Sequence, residues 1–293
     1  MLSILITIYN YNLLPLVEKL NEQCTNLGID YEILTQDDAS HSPFNEENRL
    51  IKKIENCYFF ELENNVGYRE NKNILVSKSK YDWLLIIDGD CLIHQDDFIK
   101  NYIENINNFD GIYGGRVHPN VCPSPKKMLR WKYGKFMEDN PLENRLKKPF
   151  ESFLFNNTLI KKSIFNQIKF DASFKKYGHD DTLFSFELKR LGAKLNHIYN
   201  PVEHHDLDDN VIYYQKTKDA MDNLFFLYQT KKIDYQYSKL LRTLHFLEKT
   251  KLYIFPKFIY KIFESSIERN LTGNQPYLLV FNLFRLGYIC GRV

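Results

Sequence analysis

The chain of 293 residues is 44% hydrophobic. A chain of this length buries roughly 75% of its unfolded surface, which excludes a disordered segment, a collagen-like repeat and a mini-protein dependent on disulfides or metal. Its 39 Lys and Arg against 37 Asp and Glu leave a formal charge of +2, far from the concentrated positive charge of a duplex binder, so no nucleic-acid partner is expected. The 5 cysteines are scattered without a Cys-x-x-Cys pair, which argues against a zinc knuckle or disulfide framework and for a reducing, cytoplasmic setting. No secretory leader is expected, and Lys257, Lys261, Glu264, Glu268 and Arg285 interrupt the apolar stretches near the end before any reaches a membrane-spanning length.

In chain order, residues 3–7 form an apolar strand, and Leu13, Leu16, Val17, Leu20, Cys24 and Leu27 then recur at helical spacing. Residues 31–35, 57–62 and 83–87 are further strands, nearly continuous in apolar content as buried parallel strands are. A helix over 70–79 precedes the last of these, and Phe98, Ile99, Tyr102, Ile103 and Ile106 mark another before a strand near Ile112. Such β-α alternation implies an α/β domain with a parallel sheet covered on both faces. Residues 117–150, broken by prolines, read as a long excursion beside a site. A strand over 153–160, a helix over 181–191, a strand over 194–198 and a helix from about Val211 complete the domain. We expect a catalytic domain over 1–225 and a helical appendage over 226–293 without a core of its own.

Carboxylates follow two of these strands: Asp37 and Asp38 after 31–35, Asp88 and Asp90 after 83–87. In open parallel sheets ligands bind beyond the carboxyl ends of the strands, which would gather these acids with Thr7, Tyr9 and Asn10 along one edge. Asp88-Gly89-Asp90 is also a turn sequence. As a site it suits Mg²⁺ or Mn²⁺ holding a diphosphate, since hard carboxylate oxygens match those ions. Asp180 and Asp181 open a helix and either cap it or supply a general base. His204 and His205, with acids nearby, are candidate metal ligands or surface residues.

The ordered series Thr7-Ile8-Tyr9-Asn10, Gln36-Asp37-Asp38-Ala39-Ser40, Asn65-Val66-Gly67 with Asn71-Lys72-Asn73, Asp88-Gly89-Asp90 and Gly178-His179-Asp180-Asp181 resembles the family 2 glycosyltransferases. These are inverting, nucleotide-sugar-dependent enzymes of the GT-A fold. The resemblance covers roughly residues 1–225 and includes Phe170-Asp171 and the stretch from Asn200 through Glu203 to His204. It implies a Rossmann-like, mostly parallel sheet flanked by helices. It further implies that Thr7, Tyr9, Asn10, Asp38, Asn71, Lys72 and Asp88 serve the nucleotide. Asp90 and Asp88, with His204 and His205, would serve a divalent metal, and Asp181 would be the base beside Asp180, which replaces the commoner Glu. The partners implied are a nucleotide-sugar donor, a UDP-sugar first, and a glycan or lipid-linked acceptor of surface polysaccharide synthesis.

Processive synthases of the superfamily carry Gln-x-x-Arg-Trp after the base. Here the nearest match, Lys127-Met128-Leu129-Arg130-Trp131, lacks the Gln and precedes Asp181, which implies single addition. A sugar-nucleotide nucleotidyltransferase is disfavoured because residues 6–14 contain neither Gly nor Arg, and a non-catalytic relative would have lost Asp88, Asp90 or Asp181. The aromatic, basic stretch over 240–293 either packs its apolar faces inward or meets a membrane surface peripherally.

Overall fold

A computed structural model describes residues 1–173 and 176–293. The contacts gather into two compact units: Met1–Val117, Asn140–Ala172 and Glu187–Asp206 form the first, and His118–Asp139, Ser173–Phe186 and Leu207–Val293 the second. These limits differ from a division at residue 225, since the second unit takes in two earlier stretches of chain.

The first unit is built on a sheet of seven strands. Four are parallel neighbours: β1 (Leu2–Ile8), β2 (Tyr31–Asp37), β3 (Cys57–Glu61) and β4 (Trp83–Asp88). The two-residue strand β5 (Cys91–Leu92) follows, then β6 (Gly111–Tyr113), β7 (Arg116–Val117), β8 (Asn157–Lys161), β9 (Leu195–His197) and β10 (Val202–His204). The large sheet runs β3-β2-β1-β4-β8-β6-β9. β8 enters antiparallel to both β4 and β6, so the sheet is mostly rather than wholly parallel. β1 and β2 are buried almost throughout because both their faces are covered, and β1 is correspondingly apolar. Helix Leu14–Leu27 turns Leu16, Val17, Leu20 and Cys24 into that core, and Gly28 ends it at φ 61°.

Three expectations are corrected. Residues 117–150 are not a loose excursion: they contain helices Met128–Tyr133 and Leu142–Lys147 and a π-turn over Gly134–Glu138. Two of the prolines that suggested a loop sit at element starts, Pro125 opening a short 3₁₀ turn and Pro141 preceding a helix, where a missing N–H costs nothing. The strand expected over 153–160 begins only at Asn157, because Phe153 and Phe155 pack as buried aromatics ahead of it. A second sheet, β5-β10-β7, was not foreseen.

In the second unit, Leu129, Tyr213, Tyr214, Leu271, Phe281 and Phe284 form one core. The tail helices Ile254–Thr272 and Leu278–Cys290 thus share a core with helices Met128–Tyr133 and Asn210–Gln229. Arg130 is buried against Glu138 at 2.8 Å and the Trp131 indole donates to the Pro119 carbonyl, so this Arg-Trp pair holds the unit together.

Asn157 ties the two sheets of the first unit. Its Nδ2 donates to the carbonyls of Gly115 and Asn200, each at 2.8 Å, and its Oδ1 accepts from the Tyr102 hydroxyl at 2.6 Å, all shielded from water. Asn157→Ala would take away the donor to the buried Asn200 carbonyl, while the Gly115 carbonyl keeps the Val202 N–H and the Tyr102 hydroxyl keeps the residue 157 carbonyl. We expect it to lower the unfolding free energy by about 1–3 kcal/mol, read as a lower urea midpoint at unchanged m-value.

Candidate active site

β1 has β2 on one side and β4 on the other, so the chain reverses its direction of winding between β1 and β4. The crevice at their carboxyl ends is where ligands of open α/β sheets bind. Thr7, half-buried, stands in register with Asp88 across it. Tyr9 is 63% exposed just beyond the strand. Asn10 takes φ 60° and its Oδ1 accepts from Ser42 Oγ at 2.7 Å.

At the next strand end the two acids differ. Asp37 is spent on its own turn, accepting from Ser40 Oγ at 2.6 Å, Ser40 N at 2.9 Å and Asn45 Nδ2 at 3.2 Å. Asp38 Oδ1 accepts from Val66 N at 2.8 Å. Burial raises its pKa, against the opposing pull of the Val66 and Gly67 amides. The Asn65-Val66-Gly67 segment is therefore held to Asp38, and Gly67 caps helix Tyr68–Lys78.

That helix delivers Lys72, 6% exposed, whose Nζ lies 2.9 Å from Asp88 Oδ1 and 3.4 Å from the Phe155 carbonyl oxygen. Asn71 faces elsewhere: its Oδ1 accepts from Gln36 Nε2 at 2.7 Å, and Gln36 Oε1 accepts from Lys78 Nζ at 2.8 Å. Between the acids, Gly89 is obligatory on steric grounds, since a Cβ there would lie 2.2 Å from Ile8 Cγ2.

The small sheet completes this edge. β10 pairs antiparallel with β5 and places His204 opposite Cys91. His204 Nε2 then lies 3.2 Å from Asp90 Oδ2, although 114 positions separate the two in sequence. Burial pushes the Asp90 carboxyl upward, but the hydrogen bond and charge of His204, its own amide and the Arg116 charge outweigh it and hold the pKa below the usual value. His205 Nδ1 is 3.3 Å from Glu203 Oε1, and its backbone N–H reaches the Asp90 carbonyl at 3.4 Å. Among the described residues no three His, Cys, Asp or Glu side chains converge as a metal cage. The Asp90–His204 pair nonetheless fits a divalent ion of the Mg²⁺ or Mn²⁺ kind, which takes one or two protein ligands and completes its shell with phosphate oxygens. Arg116 and Tyr11, whose pKa is raised by burial and then by Asp90 and Asp206, also border Asp90. No periodicity or spacing in the sequence pointed to either.

In the second unit, Asp180 opens helix Asp180–Arg190. The loop before it turns through Gly178 at φ 95° and His179 at φ 65°. Buried Asn223 holds that loop, its Nδ2 donating to the carbonyls of Lys176, Tyr177 and Gly178 at 2.7, 3.1 and 3.1 Å. Sequence reasoning missed Asn223, which lies within helix Asn210–Gln229 with no motif to mark it. Burial, and then the neighbouring Asp181 charge, raise the Asp180 pKa to about 8. Burial, and then Arg285, lower that of His179 to about 4.

A mostly parallel sheet with an antiparallel insertion and acids at its switch point is the architecture of the GT-A fold. The chain belongs to glycosyltransferase family 2, whose model, described as glycosyl transferase family 2, matches residues 3–171, more than half of it. Similar solved structures include TarS 1–349 of S. aureus in complex with UDP, at TM-score 0.55 and 15% identity over 98% of this chain and 89% of that one. The same fragment in complex with UDP-GlcNAc gives TM-score 0.53 and 16% identity over 74% of this chain, spanning 64% of the other, just under two thirds. The mannosyltransferase PcManGT of Pyrobaculum calidifontis, in complex with GDP-Man and Mn²⁺, gives 0.51 and 13% over 76% of this chain and 63% of that one. At these identities the likeness is one of fold. No curated protein matches the sequence.

The Asp180 proton has a measurable consequence. With its folded pKa raised from 3.8 to about 8, the native state holds a proton that the unfolded chain releases, so stability falls as pH rises through that window. Asp180→Asn keeps the neutral shape and removes the fall. Its thermal midpoint should match the wild type near pH 3 and exceed it at pH 8.

Proposed function

We propose that the protein is an inverting transferase that moves one sugar from a nucleotide diphosphate donor, a UDP-sugar first, to a hydroxyl of a glycan or lipid-linked acceptor in surface polysaccharide synthesis. The observation that carries this reading is the pairing of Lys72 with Asp88 and of His204 with Asp90 at the switch point, which sets an ammonium, an imidazole and two carboxylates where a diphosphate would lie. Asp38 and Thr7 would border the base, with Tyr9 and Asn10 beyond them and Asn71 supporting the helix that bears Lys72. Asp90 and His204 would hold Mn²⁺ or Mg²⁺, with Asp88 and His205 beside them. The ion, when bound, neutralises charge on the departing diphosphate.

Asp181 would take the proton from the acceptor hydroxyl. The oxygen then forms a bond to the anomeric carbon from the side opposite the nucleotide, the bond from that carbon to the diphosphate oxygen breaks, and the nucleoside diphosphate leaves with the electron pair. Configuration inverts. Asp180, protonated below about pH 8, adds no second negative charge beside the base. General-base help of this kind is worth roughly 10²- to 10⁴-fold, with leaving-group stabilisation acting alongside.

Incubation with a panel of nucleotide sugars and Mn²⁺, scored by release of nucleoside diphosphate, should single out one donor. Silence across the panel would favour a non-catalytic relative. With that donor, Asp181→Asn should lose turnover by at least about 10²-fold while donor affinity, measured by calorimetry, is retained. Wild-type turnover in this variant removes the base assignment. Asp90→Ala should abolish the gain in nucleotide affinity that Mn²⁺ gives the wild type, and an equal affinity with Mn²⁺ and with chelator in the wild type would count against the metal.

A further inference from the structure

In the second unit, helix Ile254–Thr272 buries one side only. Tyr260, Ile267 and Leu271 face the shared core, and Gly287 lets helix Leu278–Cys290 come so close that a Cβ would lie 2.4 Å from that of Tyr260. A surface helix ordinarily turns polar residues outward. Here Ile254, Phe255, Phe258, Ile259, Ile262 and Phe263 are 55, 65, 61, 51, 57 and 53% exposed. Six large apolar side chains within ten positions form a surface of the kind that marks an interaction site.

The charges around them select the occupant. From residue 249 to 263 the sequence holds Lys249, Lys251, Lys257 and Lys261, all exposed, and no Asp or Glu. An apolar face whose own charged residues from 249 to 263 are all lysines is complementary to acyl chains beneath anionic headgroups. A twofold pairing with a second copy would instead set lysines against lysines. No helix among the described residues is long and apolar enough to cross a membrane, and Glu264, Glu268 and Arg269 end the apolar stretch, so the segment suits a position in the plane of the interface.

We propose that residues 249–263 bind the surface of an anionic lipid bilayer without crossing it. This stands whether or not the transferase reading does. Flotation of the full chain with mixed phosphatidylcholine and phosphatidylglycerol vesicles, and with pure phosphatidylcholine, tests it. The wild type should float with the mixed vesicles and markedly less with the neutral ones, and salt should weaken the association. Phe255→Ser, Phe258→Ser and Ile262→Ser combined should lower the partition coefficient at least about tenfold, as should Lys257→Glu with Lys261→Glu. Circular dichroism and an unchanged thermal midpoint would establish that both variants fold.

Failure of the wild type to float, equal flotation with both vesicles, or variants that float like the wild type would each overturn the proposal. A lipid-free dimer that the serine variant dissociates, with no flotation, would assign the face to a second copy.

Discussion

A methyl group on residue 89 would stand 2.2 Å from Ile8 Cγ2 and 3.3 Å from the Thr7 carbonyl oxygen, and the shape of the sheet edge follows from that closeness. β4 ends hard against β1, and only a residue without a side chain lets the backbone turn there. The two acids flanking Gly89 therefore diverge. Asp88 meets the ammonium of Lys72 from helix Tyr68–Lys78, and Asp90 meets the imidazole of His204 from the small sheet. One steric requirement thus shares two carboxylates between two partners, an ammonium and an imidazole, carried by unrelated segments.

Charge balance acquires a local meaning in this light. A sum of +2 over the whole chain conceals four different ways of accommodating an acid. Asp88 has an ammonium, Asp90 an imidazole, Asp38 a backbone amide, and Asp180 its own proton. The Lys72 ammonium is a cation that a phosphate would also attract.

The legible part of the sequence was that governed by local periodicity. β1 to β4 and the helices Leu14–Leu27 and Asn210–Gln229 announce themselves through apolar spacing, and the order of the short acidic motifs along 1–225 identified the family. What stayed hidden depends on partners far along the chain. β10 has three residues, follows a proline, and exists because β5 and β7 flank it. The antiparallel entry of β8 is a matter of topology that a run of apolar residues does not encode. Residues 117–150 misled because prolines at element starts resemble prolines in loops. The pairing of the candidate residues was not legible: nothing in the spacing couples Asp90 to His204, or Asn223 to the carbonyls before Asp180.

The antiparallel and small-sheet pairings have a bearing on the order in which the molecule can assemble. β1 and β2 pair in register across a short stretch of chain, whereas the contact of Asp90 with His204 spans 114 positions. Closing long loops costs more entropy and comes later than local pairing. On a chain emerging from the ribosome, the parallel core can form well before residues 202–204 exist, so the edge around Asp90 matures only after most of the protein has been made.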